Sequence, residues 1–209
     1  MQSFSPSTLP LTAILRGLTP EEAPAIGRVL LDAGFRMLEV PLNRPGALEA
    51  IRTLAKMAPE DALVGGGTIL TLEHVDAVRE AGGRLMVSPN CVPQVIAHAV
   101  KLGMVAMPGV ATPTEAFRAV DAGAQGIKLF PAEMISPAVV KALRSVLDIP
   151  MFPVGGIRPD NMAEYYEAGA TGFGIGSQLF KPGSTAEQVR KVAEAFMAAR
   201  QKLLQNSQA

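Results

Sequence analysis

Apolar and polar positions along this chain fall into a repeating block. A short apolar run leads into a stretch with helical spacing, which ends in Ala-Gly or Leu-Gly, as in DAGF, EAGGR, KLGM, DAGAQ and EAGAT. The glycines are Gly34, Gly82, Gly103, Gly123 and Gly169. Glycine after a last helical turn adopts a left-handed conformation without a Cβ clash, so each marks a helix end. The spacing is one unit per roughly 20 to 24 residues. Two units fit between Gly34 and Gly82 and two between Gly123 and Gly169, which gives eight units in all.

The strands read as TAILRG, FRMLEV, ALVGGG, RLMVS, MVAMPG, GIKLF, MFPVGG and GFGIGS. Most are nearly continuous apolar runs, the pattern of strands covered on both faces in a parallel sheet. Helix starts follow them in Thr19-Pro20-Glu21-Glu22, Thr71-Leu72-Glu73 and Thr112-Pro113-Thr114-Glu115, with hydroxyl caps, early prolines and early acids. Regular alternation of this kind means an α/β fold, and eight units without a long insertion favour a closed (β/α)8 TIM barrel over an open doubly wound sheet. The expected organisation is one barrel domain over residues 11–204, an N-terminal segment over 1–10 and a frayed polar tail over 205–209. The last helix is predicted from Ser184 to Leu204, with Val189, Val192, Phe196 and Ala199 on one side.

Composition narrows the function classes. The 209 residues suit one domain, and 19 basic against 19 acidic side chains leave no electrostatic reason to expect nucleic acid or a membrane surface as partner. No apolar stretch reaches about 18 residues, and MQSFSPSTLP lacks the basic and apolar regions of a signal peptide, so a cytoplasmic protein is expected. Cys91 is the one cysteine, which rules out a disulfide within the chain and a thiolate cluster. His74 and His98 sit apart in helical patterns and read as solvated or half-buried helix residues. No metal and no cofactor are expected.

In a barrel of this type the chemistry lies where strands end, which singles out Arg16, Glu39, Asn43, Thr68, Ser88, Lys128 and Ser177. Lys128, inside Gly-Ile-Lys-Leu-Phe-Pro, has apolar neighbours that must point the other way along a strand, so its side chain faces the barrel interior. The other lysines fall in helical or C-terminal segments, where a solvated charge explains them. Desolvation lowers an ammonium's pKa, and the neutral amine is a nucleophile for a ketone. The alternative is a cation that binds a carboxylate or a phosphate. Glu39, in Met-Leu-Glu-Val-Pro, is placed to share that interior as a general acid/base, or as one half of a structural ion pair.

Glycine pairs supply a third component. Gly155 and Gly156 follow strand seven, and Gly176 with Ser177 follows strand eight, the usual phosphate cradle of this fold. These four are the candidate phosphate ligands; the alternative is tight turns only. Gly65-Gly66-Gly67-Thr68 lets backbone approach a ligand and presents the Thr68 hydroxyl. The planar fork of Arg16 suits a carboxylate, with a surface ion pair as its alternative. Ser88-Pro89-Asn90 either contacts a ligand or is an ordinary turn.

With these residues in hand, the chain resembles the 2-dehydro-3-deoxy-phosphogluconate and phosphogalactonate aldolases, a class I family. The resemblance is carried by Ala13-Ile14-Leu15-Arg16-Gly17, Leu38-Glu39-Val40, Val64-Gly65-Gly66-Gly67-Thr68, Ser88-Pro89-Asn90, Pro108-Gly109-Val110-Ala111-Thr112, Lys128-Leu129-Phe130-Pro131-Ala132 and Gly155-Gly156-Ile157. It implies Lys128 as the Schiff-base lysine, Glu39 as the acid/base, Arg16, Asn43, Thr68, Pro89 and Val154 around the substrate, and a homotrimer. Gluconate-type members look like Glu-Val-Thr-Leu-Arg, with Thr before the Gly-Gly pair. Here Pro41, Asn43 and Val154 stand instead, as does Ile-Leu-Arg-Gly near the start, and these are more similar to the phosphogalactonate branch. The activity so implied is cleavage of 2-dehydro-3-deoxy-6-phosphogalactonate to pyruvate and glyceraldehyde 3-phosphate. The gluconate epimer, a phosphate-binding barrel isomerase or epimerase, and a non-catalytic sugar-phosphate binder are the alternatives. Many relatives carry an N-terminal helix for which the start of this chain is short, so the resemblance leaves closure of the barrel bottom open.

Overall fold

The structure, a computed structural model, describes residues 9–206. The parts of the expected N-terminal segment and polar tail at residues 1–8 and 207–209 lie outside them. Strands β1 (Leu11–Ile14), β2 (Met37–Pro41), β3 (Leu63–Gly67), β4 (Leu85–Val87) and β5 (Val105–Met107) pair in parallel as neighbours, and β9 (Phe173–Ile175) pairs with β1 on the other side. Segments β6 (Gly109–Val110), β7 (Ile127–Leu129) and β8 (Met151–Pro153) pair in a second run. The chain passes directly from β5 to β6, and a single bridge from Val154 to Gly174 joins β8 to β9. The result is a closed ring of eight strand positions. The fifth is split because Pro108 has no N–H to give the ladder, although its carbonyl still accepts from the Lys128 N–H at 2.9 Å.

Among the described residues, eight α-helices follow the strand positions: α1 (Ala23–Asp32), α2 (Ala47–Met57), α3 (Leu72–Glu80), α4 (Pro93–Lys101), α5 (Pro113–Asp121), α6 (Pro137–Arg144), α7 (Met162–Glu167) and α8 (Ala186–Asn206). Their starts use the chemistry read from the sequence. Thr112 and Glu115 form a reciprocal capping box, and the Thr71 hydroxyl accepts from the His74 N–H at 3.2 Å. Thr19 and Glu22 exchange the same pair of bonds one turn before α1. At the other ends, Gly34, Gly82, Gly103, Gly123 and Gly169 all have positive φ. Helix α8 continues to Asn206, so Gln205 and Asn206 extend the helix where the sequence suggests fraying. Both are exposed and polar, and intrahelical backbone bonding is enough to carry them.

Two apolar layers hold the ring. Outward-facing strand residues such as Leu38, Val40, Val64, Met86, Ile127, Leu129 and Met151 pack against the helices. Inward-facing Met37, Leu63, Leu85, Val87, Met107 and Phe152 form a separate cluster inside the barrel. Phe152 is completely buried, and its ring occupies the space that side chains at Gly126 and Gly172 would need. This plug fills the interior beneath the polar residues, so side chains from the strands themselves fill the lower barrel. Leu9 is buried as well, and its carbonyl accepts a 3.0 Å bond from Arg200 of α8. Replacing Phe152 by Ala is expected to cost about 3–5 kcal/mol. Urea denaturation of the Phe152→Ala protein measures it, and an unchanged midpoint would contradict the plug.

Candidate active site

The alternation of a strand fixes what lies above that plug. On β2, Met37 points inward with Leu38 outward, so Glu39 must point inward one layer higher. On β7, Ile127 and Leu129 join the outer core, and Lys128 between them faces inward beside its register partners Gly109 and Phe152. Glu39 is 1% exposed and Lys128 8%. The two groups act on each other electrostatically, yet they are not among the ion pairs of the described residues. Oxygen Oε2 of Glu39 is buried without a hydrogen-bond partner among the described residues. Its carboxylate lies flat against Gly67, where any side chain would collide with it.

Burial dominates both titrations. It pushes the Glu39 carboxyl above its ordinary value of 4.5, with Lys128 and Arg16 pulling partly back. It pushes the Lys128 amine below its ordinary 10.5; Glu39 opposes the shift and Arg16 adds to it. The Lys128 Nζ also stands 4.7 Å from the centroid of the Phe130 ring, a contact that retains some cation stabilisation without water. The arrangement offers an amine that loses its proton readily and, on a separate strand within its electrostatic reach, a carboxyl that holds one.

A cleft of about 230 Å³ opens over Lys128. Arg16 lines it, as do Val154, Gly155, Gly156, Gly176 and Ser177, so the cation at the end of β1 and both glycine loops converge there. The cleft lies above the seam between β8 and β9, where Gly174 leaves room for Val154 to close the wall. Thr68, Pro89 and Asn43 do not line it: Thr68 and Pro89 are half-buried at neighbouring strand ends and Asn43 is exposed. Thr68 does follow Gly67 directly and holds a φ of 55°, which for a β-branched residue is strained. The Ser88 hydroxyl donates to the Asn90 carbonyl at 2.7 Å and closes a turn.

Several cleft residues are not foreseen as ligands from the sequence, among them the charged Glu133 and Lys181. Lys181 belongs to neither a helix nor the C-terminal tail, the places expected for lysines other than Lys128, but to the loop between β9 and α8. Its Lys-Pro-Gly context, a few residues after a predicted strand end, is the available signal. His98 binds Asp76 at 2.7 Å across α3 and α4, and the His74 ring nitrogen accepts from the Leu70 N–H at 3.3 Å. Among the described residues no group of three or more His, Cys, Asp or Glu is arranged to hold a metal, and no helix is long and apolar enough to cross a membrane.

The pKa directions have a consequence for stability. Ionising Glu39 is disfavoured in the fold, so stability is lost as pH rises from 4.5 through its raised pKa. Protonating Lys128 is disfavoured too, so stability is lost as pH falls from 10.5 through its lowered pKa. Near neutrality the native protein bears both costs. A Lys128→Met/Glu39→Gln double variant is therefore expected to be as stable as the parent or up to about 4 kcal/mol more stable at pH 7. Thermal unfolding checks this, and a less stable double variant would contradict it.

Residues 7–195 match the profile of the family described as KDPG and KHG aldolase. A probable 2-dehydro-3-deoxy-6-phosphogalactonate aldolase of Rhizobium meliloti (strain 1021) is 49% identical over 196 residues, covering 93% of this chain and 92% of that protein. A solved structure described as native KDPGal is 45% identical, with a TM-score of 0.92 over 94% of this chain and 97% of that one. A KDPG aldolase from Legionella pneumophila, solved with pyruvate captured at low pH as a covalent carbinolamine intermediate, is 26% identical with a TM-score of 0.76, covering 93% and 95% of the two chains.

Proposed function

The chain belongs to the KDPG and KHG aldolase family, and on that premise we propose that it is a Schiff-base aldolase that cleaves 2-dehydro-3-deoxy-6-phosphogalactonate, with Lys128 as nucleophile and Glu39 as acid/base. The observation that carries the reading is a buried, interior-facing amine at a cleft lined by glycine loops, within electrostatic reach of a buried carboxyl that does not itself line the cleft and whose Oε2 has no partner among the described residues. The galactonate epimer is favoured by the 49% identical relative of that name and by Pro41, Asn43 and Val154 in place of the gluconate-type residues.

In this reading Arg16 holds the substrate carboxylate and Gly155, Gly156, Gly176 and Ser177 hold the phosphate, which presents C2 to Lys128. Val154 lines the cleft between them, and Asn43, Thr68 and Pro89 stand outside its wall at neighbouring strand ends and loops. The neutral amine attacks the C2 ketone, and loss of water gives an iminium. Glu39 takes the proton of the C4 hydroxyl, directly or through water, as the C3–C4 bond breaks and its electrons pass into the iminium to form an enamine. Glyceraldehyde 3-phosphate departs. Glu39 returns the proton to C3, and water hydrolyses the new iminium to pyruvate and free Lys128. Each step draws on residues of this chain. A homotrimer and a cytoplasmic setting, both expected from the sequence and its family resemblance, complete the reading.

A coupled pyruvate-release assay on the two phosphorylated epimers tests it. Faster turnover of the galactonate form is expected; a large excess for the gluconate form would reverse the branch assignment. Lys128→Met should lower kcat on the order of 10³-fold or more and Glu39→Gln on the order of 10²- to 10⁴-fold. Undiminished cleavage by either variant would remove that residue from the mechanism.

A further inference from the structure

The loop from β9 to α8 carries a lysine that the mechanism above leaves unused. Lys181 lines the same cleft as Lys128, Gly155, Gly156 and Ser177. Its backbone is fixed on both sides. The Leu179 and Phe180 N–H groups donate to the Gly176 carbonyl at 2.8 and 3.1 Å, and Phe180 is buried. The Lys181 N–H donates to the Ser184 hydroxyl at 3.2 Å, and the Ser184 N–H returns a bond to the Lys181 carbonyl at 2.9 Å. Pro182 packs on Gly17, at the end of β1, so closely that a Cβ there would stand 2.9 Å from its ring. An exposed, flexible stem thus rises from an anchored base beside the glycine loops.

Another residue of the same cleft carries the contrary charge. Glu133 follows β7, and its carboxylate lies against Gly155 and within 3.4 Å of where a Cβ on Gly156 would stand. The other groups named for the phosphate are neutral: backbone N–H and the Ser177 hydroxyl. Arg16 is assigned to the substrate carboxylate, and its charge is felt by both Glu39 and Lys128. A phosphate carrying close to two negative charges therefore meets a carboxylate at the glycine loops, and dipoles alone do not neutralise it. Lys181 is a cation lining the same cleft, on the loop that follows Gly176 and Ser177.

We propose that Lys181 is the counter-cation for the substrate phosphate and that, opposed by Glu133, it sets the preference for phosphorylated over unphosphorylated substrates. The assignment rests on the aldolase reading and adds to it a residue outside the glycine cradle. Because the two charges line one cleft, they offset each other without substrate, and an unphosphorylated sugar acid gains nothing from them.

The test compares Lys181→Gln, Lys181→Arg and Glu133→Gln with the parent on 2-dehydro-3-deoxy-6-phosphogalactonate and on 2-dehydro-3-deoxygalactonate. Lys181→Gln is expected to raise KM for the phosphorylated substrate roughly tenfold and to leave the unphosphorylated one unchanged. Lys181→Arg should restore KM, Glu133→Gln should lower it, and the rise of KM with added salt should flatten in Lys181→Gln. Deuterium exchange into the methyl group of pyruvate, which needs the enamine but no phosphate, should proceed in Lys181→Gln at the parent rate. An unaltered KM for the phosphorylated substrate, or an equal change for both substrates, would overturn the assignment. Absence of exchange in the parent protein would instead overturn the aldolase reading, and the assignment with it.

Discussion

The proposed chemistry depends on keeping an amine and a carboxyl out of water without letting them join. In bulk solvent the amine would be protonated and unable to attack a ketone, and the carboxylate would be a weak base for the C4 hydroxyl proton. Inside the barrel the penalty for charge outweighs their mutual attraction, as the directions of both pKa shifts demonstrate. A direct ion pair would have reversed that balance and locked the amine in its protonated form. The separate strands that carry Glu39 and Lys128 therefore matter as much as their burial, because each strand fixes one side chain independently of the other.

Such an interior is expensive, and the fold meets the cost with two apolar layers. The outer layer, between strands and helices, determines that Leu38 and Val40 face out and hence that Glu39 faces in. The inner plug, with Phe152 and Met37 among its members, keeps solvent from reaching the pair from below. The cleft opens on one side, over the seam where β8 and β9 share a single bridge and glycine replaces side chain. The cleft is thus lined by charged and backbone polar groups: Arg16, Lys128, Glu133, Lys181 and the glycine loops.

Much of this is legible in the residues. The helix-ending glycines carry the repeat, and all five have the positive φ that makes glycine the fitting residue there. Isolated charges between apolar neighbours, Glu39 and Lys128, stand out because strand alternation leaves one direction for each. What is not legible depends on pairing and on loop paths. The break at Pro108 leaves an apolar run looking continuous, since the loss is of a donor and not of hydrophobicity. Lys181 and Glu133 reach the cleft through loop geometry that no periodicity encodes. Asn43, Thr68 and Pro89 sit at neighbouring strand ends and loops, outside the cleft wall itself.

Aldolase chemistry of this kind requires one particular buried amine to become a covalent partner of a keto acid. Reduction of the protein with borohydride in the presence of pyruvate, followed by mass analysis of its peptides, addresses that directly. The mass of a reduced pyruvate adduct is expected on the peptide containing Lys128, and on that lysine within it. An unmodified Lys128 in protein that turns over substrate, or an adduct on a different lysine, would contradict the assignment.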